Sequence, residues 1–303
     1  MSQSSNVRKI IRVGERSIGI TIPKEWLNFL NIDVGSSVEV SLGPGYLLVR
    51  PITSVGPKML NTVTVRQSDP VQLERMIIAG YIEGYDVIEL DVPKNIARDV
   101  FYKVAMRLPG AIAMDGDILR IRISVDEFNT NISDIIASMR TCVGAMYNML
   151  MEYLETGGRE KLEEILKLDD DLDRFHFIGV RTIRRTAFKD PISALEYMVI
   201  IKSLEHIGDT LDRISNMFLK TGLNIASYSD CKNVLKEIFL KVSTYVSKSV
   251  NALDSQNITL AMKVLLQRGE LSQEILSLAS KCINVPGMLA VSHEAIVAVY
   301  EAA

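Results

Sequence analysis

Cysteine is scarce: three residues in a chain of 303. Cys142, Cys231 and Cys282 are too scattered for a disulfide framework or a zinc pattern. Each is expected to be a small buried apolar residue in a reducing compartment. No uncharged apolar run reaches the ~18 residues that cross a bilayer, and the opening MSQSSNVRKIIRVGE has no apolar core of the secretory kind. A cytoplasmic protein without membrane insertion is expected. Phosphate-cradling loops are missing as well. There is no P-loop and no G-x-G-x-x-G; Gly14, Gly19 and Lys24 lack Walker spacing, and GPG at 43–45 reads as a turn. No Ser/His/Asp or Cys/His grouping stands out, so a non-enzymatic role is expected.

What is present is globular. The composition is 48% apolar and 23% charged, and the length suffices for two or three domains. The net charge of −3 gives no global pointer to nucleic acid. Its distribution does. Residues 1–24 carry Arg8, Lys9, Arg12, Arg16 and Lys24 against Glu15 alone, whereas acids outnumber bases from residue 126 onward. A basic head precedes a mildly acidic body.

Three zones differ in period, predicting a multidomain fold. Residues 6–52 read as a small β domain: RKIIRV and IGITI alternate around a turn at Gly14–Ser17, Pro23 opens a short helix over PKEWLNFL, and SSVEVSL with YLLVRPI makes a second hairpin. Trp26, Leu27, Leu30 and Ile32 are its expected core. Residues 58–125 read as α/β: the strand LNTVTV, a helix from SDP to Gly84, the strand YDVIEL, a helix over IARDVFYKVAMRL, and a hairpin around Asp115-Gly116. This middle zone shows no chemistry and is expected to be a spacer or a dimer-reinforcing domain. Residues 128–303 read as all-α. Helices are expected from about 131 to 157, 160 to 189 and 191 to 222, then near 230–253, 257–282 and 286–302. That is a tandem of three-helix bundles, at about 128–222 and 228–303.

The second and third of these helices carry the chemistry. Glu205, Asp209 and Asp212 fall at i, i+4 and i+7, one row on one helix face. Like charges so spaced each cost a few tenths of a kcal/mol. Asp169 and Asp173 make a second row in KLDDDLDRFHF. If the two helices pack antiparallel about the turn at 189–191, both rows stand ~21–26 Å from it at ~1.5 Å per residue. Carboxylates level on neighbouring helices suit a hard cation such as Mg, Mn or Fe. Gly208 would let a metal or a neighbouring backbone approach. The competing reading is a solvated face neutralised by Arg174 and Arg213. His176, His206 and His293 are expected to be hydrogen-bonders rather than ligands, and Asp171 a solvent-facing charge.

LEHIGDTLDRI resembles the signature helix of PhoU proteins, and DDDLDRFHF resembles its partner helix with an acid-x-x-x-Asp pair. The resemblance extends over roughly 128–303. It implies tandem helical bundles that bind metal clusters, with Asp169, Asp173, Glu205 and Asp209 as ligands and Asp212 as a further one. In the second bundle Glu270 and Glu274 stand for the corresponding pair. The last helix departs from the family pattern, with Val297 where an acid is expected.

VRKIIRVGERSIGITIPKEWLNFLNIDVGSSVEV, with its closing hairpin, resembles the swapped-hairpin domain of AbrB, SpoVT and MazE proteins. Gly14, Ile22-Pro23-Lys24 and VGSSVEV occupy the family's positions, and Ser36 replaces the usual Asp. A unit this small buries little surface alone, so a homodimer through this domain is expected. It would double a cationic stripe of Arg8, Lys9, Arg12, Arg16 and Lys24 facing DNA phosphates. Together the resemblances imply an archaeal-type, phosphate-responsive transcriptional regulator of phosphate uptake. The alternative is an adaptor that restrains a phosphate transporter ATPase or a kinase by protein contact. A metal-dependent phosphatase is a third reading, without an obvious general base.

Overall fold

The structure, a computed structural model, describes residues 7–30, 32–43, 45–51, 60–222 and 228–303. The domain edges expected at 6, 52 and 58 lie outside the described residues, as does the middle of the GPG turn. The chain divides into two compact units, Met1–Met59 and Leu60–Ala303.

In the first unit β1 (Ile10–Arg12) pairs antiparallel with β2 (Ile18–Ile20), Ile10 opposite Ile20. Gly14 takes a φ of +82° in the connection, a conformation that costs a glycine little. Helix α1 (Lys24–Leu30) follows Pro23 directly. β3 (Val38–Gly43) and β4 (Tyr46–Pro51) form the second hairpin, Leu42 opposite Leu47. The expected core is only partly realised. Ile32 is buried and Leu27 half-buried, but Trp26 and Leu30 are exposed. The physical reason is size: two two-stranded ribbons and one short helix supply no second layer to cover them.

The second unit begins with a mixed sheet. Its elements are β5 (Thr62–Val65), α2 (Pro70–Ile82), β6 (Val87–Leu90), α3 (Lys94–Val104), a 3₁₀ turn (Ala105–Arg107), β7 (Ala111–Met114) and β8 (Leu119–Ile123). The strand order is β5-β6-β8-β7, with β5 and β6 parallel and the other pairs antiparallel. The start of α2 is fixed as its sequence predicts: Asp69 Oδ1 accepts from the Gln72 N–H at 2.9 Å and Pro70 opens the first turn. Leu73 and Ile77 of α2, Phe101 of α3, and Ile88, Leu90, Leu119 and Ile121 of the sheet form the core.

Six helices follow: α4 (Ile132–Thr156), α5 (Arg159–Thr186), α6 (Pro191–Thr221), α7 (Ser229–Asp254), α8 (Ile258–Ser280) and α9 (Met288–Glu301). Asn131 caps α4 through Ser133, and Gly157 closes it in the left-handed region. Asp190 caps α6 with Pro191 at its first position, and Gly222 ends it. Helices α4, α5 and α6 pack on one another, as do α7, α8 and α9, while α6 meets α9 and α4 meets α7. One continuous apolar core therefore runs through all six, from Met146 and Leu172 to Phe239, Ile275 and Val299. No helix of the described residues is long and apolar enough to cross a membrane.

One sequence expectation is corrected here. Cys231 and Cys282 are not independent buried thiols but a disulfide, with Cα atoms 5.6 Å apart. The packing of α7 against α8 brings the first turn of one beside the end of the other. Cys142 remains free and half-buried. The α/β segment is clamped onto α5. The fully buried Arg181 donates through Nε to Glu127 Oε1 at 2.7 Å. Its Nη1 donates to the carbonyls of Tyr81 and Tyr85 at 2.8 and 2.9 Å. Arg185 adds a bond to the Gly84 carbonyl at 3.1 Å, and Arg184 one to Glu83.

Candidate functional site

The two acidic rows meet. A Cβ on Gly208 of α6 would lie 2.1 Å from Leu172 Cδ2 and 3.7 Å from Asp169 Oδ1 of α5. Gly208 thus admits a neighbouring side chain, where the sequence suggested a metal or a backbone. Four-residue spacing then carries Asp173 along the same face of α5, and Glu205, Asp209 and Asp212 along that of α6.

The electrostatics show how closely these groups share space. Asp169 is pushed up to about 8, first by burial and then by Asp212, Asp173 and Asp209. Glu205 rises to about 7, by burial and then Asp209, with Asp173 adding to it. Burial also raises Asp173, against the pull of Arg107, with Asp209 adding to the rise. Asp212 is raised by burial, opposed by its hydrogen bond from Asn216 and reinforced by Asp209. The Asp169 carboxyl, so placed, keeps its proton at neutral pH unless a cation enters.

Basic groups border this seam. Arg213 donates to Asp209 at 3.4 Å and to Glu294 of α9 at 3.0 Å. His206 stands 3.6 Å from Glu205 and 3.3 Å from Glu301 of α9. Arg107, from the 3₁₀ turn of the α/β segment, donates through Nη1 to Asp173 Oδ2 at 3.1 Å and through Nη2 to Glu74 Oε1 at 2.7 Å. Of the two arginines expected to neutralise the rows, Arg213 does so, while Arg174 pairs instead with the exposed Asp171 at 3.2 Å. His176 is neutral at pH 7, its pKa drawn down to about 4 by burial and the neighbouring His206. Its buried Nδ1 has no hydrogen-bond partner and lies 3.9 Å from Glu205.

Sequence reasoning missed Arg107. It lies 66 residues from its aspartate, in a segment with no motif. Arg181 and Glu127, 54 residues apart, were equally invisible.

Among the described residues no group of three or more His, Cys, Asp or Glu side chains is already arranged to hold a metal ion. The carboxylates share one electrostatic neighbourhood rather than one coordination sphere. Their chemistry nonetheless suits a hard cation: all-oxygen donors, half-buried, with mutual repulsion that a positive charge relieves. Glu270 and Glu274 stand apart from the seam, on an exposed groove of about 430 Å³ between α7 and α8. Lys241 bonds Glu274 there at 2.8 Å, so that carboxylate already has a cation beside it. His293 is exposed, 3.8 Å from Glu294. In the first unit Arg8, Lys9, Arg12, Arg16 and Lys24 are all solvent-exposed.

Comparison with known families agrees with these two regions. Residues 136–217, the span of α4 to α6 with both acidic rows, match the model of the PhoU domain. Residues 11–56 match that of the antidote-toxin recognition MazE, bacterial antitoxin family. No curated protein and no solved structure matches the chain. The chain therefore carries, in order, a MazE-like antitoxin domain and a PhoU domain.

Proposed function

We propose that this chain is a phosphate-responsive regulator that binds DNA as a dimer through its first unit and takes up a hard metal ion at the α5/α6 seam. The observation that carries the sensor part is that carboxyls act on one another across the two helices: Asp212 and Asp209 of α6 add to the rise of Asp169, and Asp173 of α5 adds to that of Glu205. Asp169, Asp173, Glu205 and Asp209 would hold the ion, with Asp212 beside them. A cation bound there would supply positive charge for a phosphate oxygen or a partner's carboxylate. The residues of the chain would do the rest: Asp169 and Glu205 give up the protons they retain, and Leu172 against Gly208 keeps the two helices at their close approach.

For the first unit, the support is exposure. Ile10, Ile18, Ile20, Trp26, Leu30, Val40 and Leu47 are exposed in the protomer. A second copy interleaving its hairpins would cover them and bring two sets of five cations together. With ~6 phosphate contacts per dimer, log affinity for duplex DNA falls against log salt with a slope near −5. Arg8→Ala/Arg12→Ala should flatten that slope. No binding of the wild type at low salt would refute DNA contact.

One observation favours an adaptor role as the second reading. Ile192, Leu195 and Val199 line one exposed face of α6 at i, i+3 and i+7. If that face docks a transporter ATPase or a kinase, Leu195→Asp abolishes co-purification of that partner. DNA binding without any such loss favours the transcriptional reading.

A further inference from the structure

Arg107 closes the 3₁₀ turn after α3, and nothing in its local sequence explains it. Its guanidinium is largely buried between two carboxylates from different parts of the second unit, Asp173 of α5 and Glu74 of α2. Both are charge-assisted bonds, to opposite sides of one planar fork. Glu74 has a second cation, Lys103 at 2.6 Å. Asp173 faces a different set of neighbours: Asp209 and Asp170 both push its proton affinity up. Arg107 therefore brings to the acidic seam a positive charge from the α/β segment.

We propose that Arg107 is a built-in counter-cation of the seam, which holds one end of the α/β segment on α5 and competes with a metal ion for Asp173. This inference rests on the metal reading of the seam and adds its regulation. An ion held by Asp173 takes the carboxylate charge that Arg107 uses and sets like charge beside the guanidinium. Arg107 keeps Glu74 when it leaves, so its departure strands no charge. The other attachment is independent of the seam. Arg181 lies eight residues further along α5, about 12 Å at 1.5 Å per residue, and is fixed by Glu127 and the Tyr81 and Tyr85 carbonyls. Metal uptake thus releases the Arg107 end while the Arg181 end stays, and the α/β segment pivots. By linkage, a docked Arg107 weakens metal binding by the same factor by which metal weakens docking.

The test uses Mn²⁺ as the probe and the full chain. Calorimetric titration of the Arg107→Gln protein should show Mn²⁺ bound about tenfold tighter than by wild type, within the span usual for coupled sites. Arg107→Lys, which keeps the charge, should stay near wild type. In wild-type protein, Mn²⁺ should speed amide exchange over residues 102–110 and leave 78–86 unchanged. Equal or weaker Mn²⁺ binding by Arg107→Gln, or unaltered exchange at 102–110 on loading, overturns the inference and leaves the metal reading standing. Failure of both proteins to bind Mn²⁺ overturns the metal reading and this inference with it.

Discussion

Gly208 of α6 and Leu172 of α5 are in such close register that a Cβ on the glycine would fall 2.1 Å from Leu172 Cδ2. This contact explains the glycine in a helix interior, where it costs ~1 kcal/mol against alanine. It also sets the height at which the acidic rows face each other, since Asp169 Oδ1 lies 3.7 Å from the same point.

Gly208→Ala should therefore destabilise the protein despite its better helix propensity. Leu172 is 1% exposed, and displacing a packed side chain costs ~1–3 kcal/mol. In a Leu172→Ala background the clash is gone, and the same substitution should become neutral or stabilising by up to ~1 kcal/mol. Denaturant titration of the four proteins measures the reversal. An additive cycle would show that Gly208 serves no close approach.

The pH dependence of the metal-free protein follows from Asp169 and Glu205. Their folded values, about 8 and about 7, lie above the ordinary 3.8 and 4.5, so the folded state holds protons that the unfolded chain has lost. Their contribution is complete below about pH 4 and fades as pH rises through about 8. In EDTA the melting temperature should fall between pH 5 and 8.5, and Asp169→Asn should flatten the fall. A melting temperature that rises over this interval, or a slope that Asp169→Asn leaves unaltered, contradicts the shared-proton picture.

The Cys231–Cys282 bond closes a loop across 51 residues. In the chain-entropy picture it stabilises by up to about 4 kcal/mol. Cys231→Ser, or reduction, should lower the denaturant midpoint of the helical region accordingly. Thiol titration under denaturing, non-reducing conditions should find one free group, Cys142; three would contradict the bond.

Much of this architecture was legible locally. Asp69 before Pro70, Asn131, Gly157, Asp190-Pro191 and Gly222 mark helix ends through caps and left-handed turns that the structure reproduces. The i, i+4 spacing of the acids, with an antiparallel helix pair, was enough to bring Asp169 and Asp209 within electrostatic reach. The remainder depends on topology. Arg107 with Asp173, Arg181 with Glu127 and Cys231 with Cys282 are each joined across more than 50 residues. No periodicity encodes such pairings. Trp26 and Leu30 show a different limit: the apolar pattern marks what needs covering, and both stay exposed in the single chain.

The buried Arg181–Glu127 pair should behave as an obligatory clamp. Both side chains are almost wholly excluded from water, at 1% and 2% exposure. Glu127→Ala leaves an uncompensated buried charge, worth ~3–5 kcal/mol. Chemical denaturation should show that loss, with earlier amide exchange around Tyr81–Tyr85. A change below ~1 kcal/mol would contradict the clamp.

The account turns on whether carboxylates from α5 and α6 close around a cation, and diffraction from crystals soaked in Mn²⁺ tests that most directly. The predicted result is an anomalous peak bounded by Asp169, Asp173, Glu205 and Asp209, with Arg107 withdrawn from Asp173 toward Glu74. A fully soaked crystal with no peak there, and Arg107 still on Asp173, would contradict it.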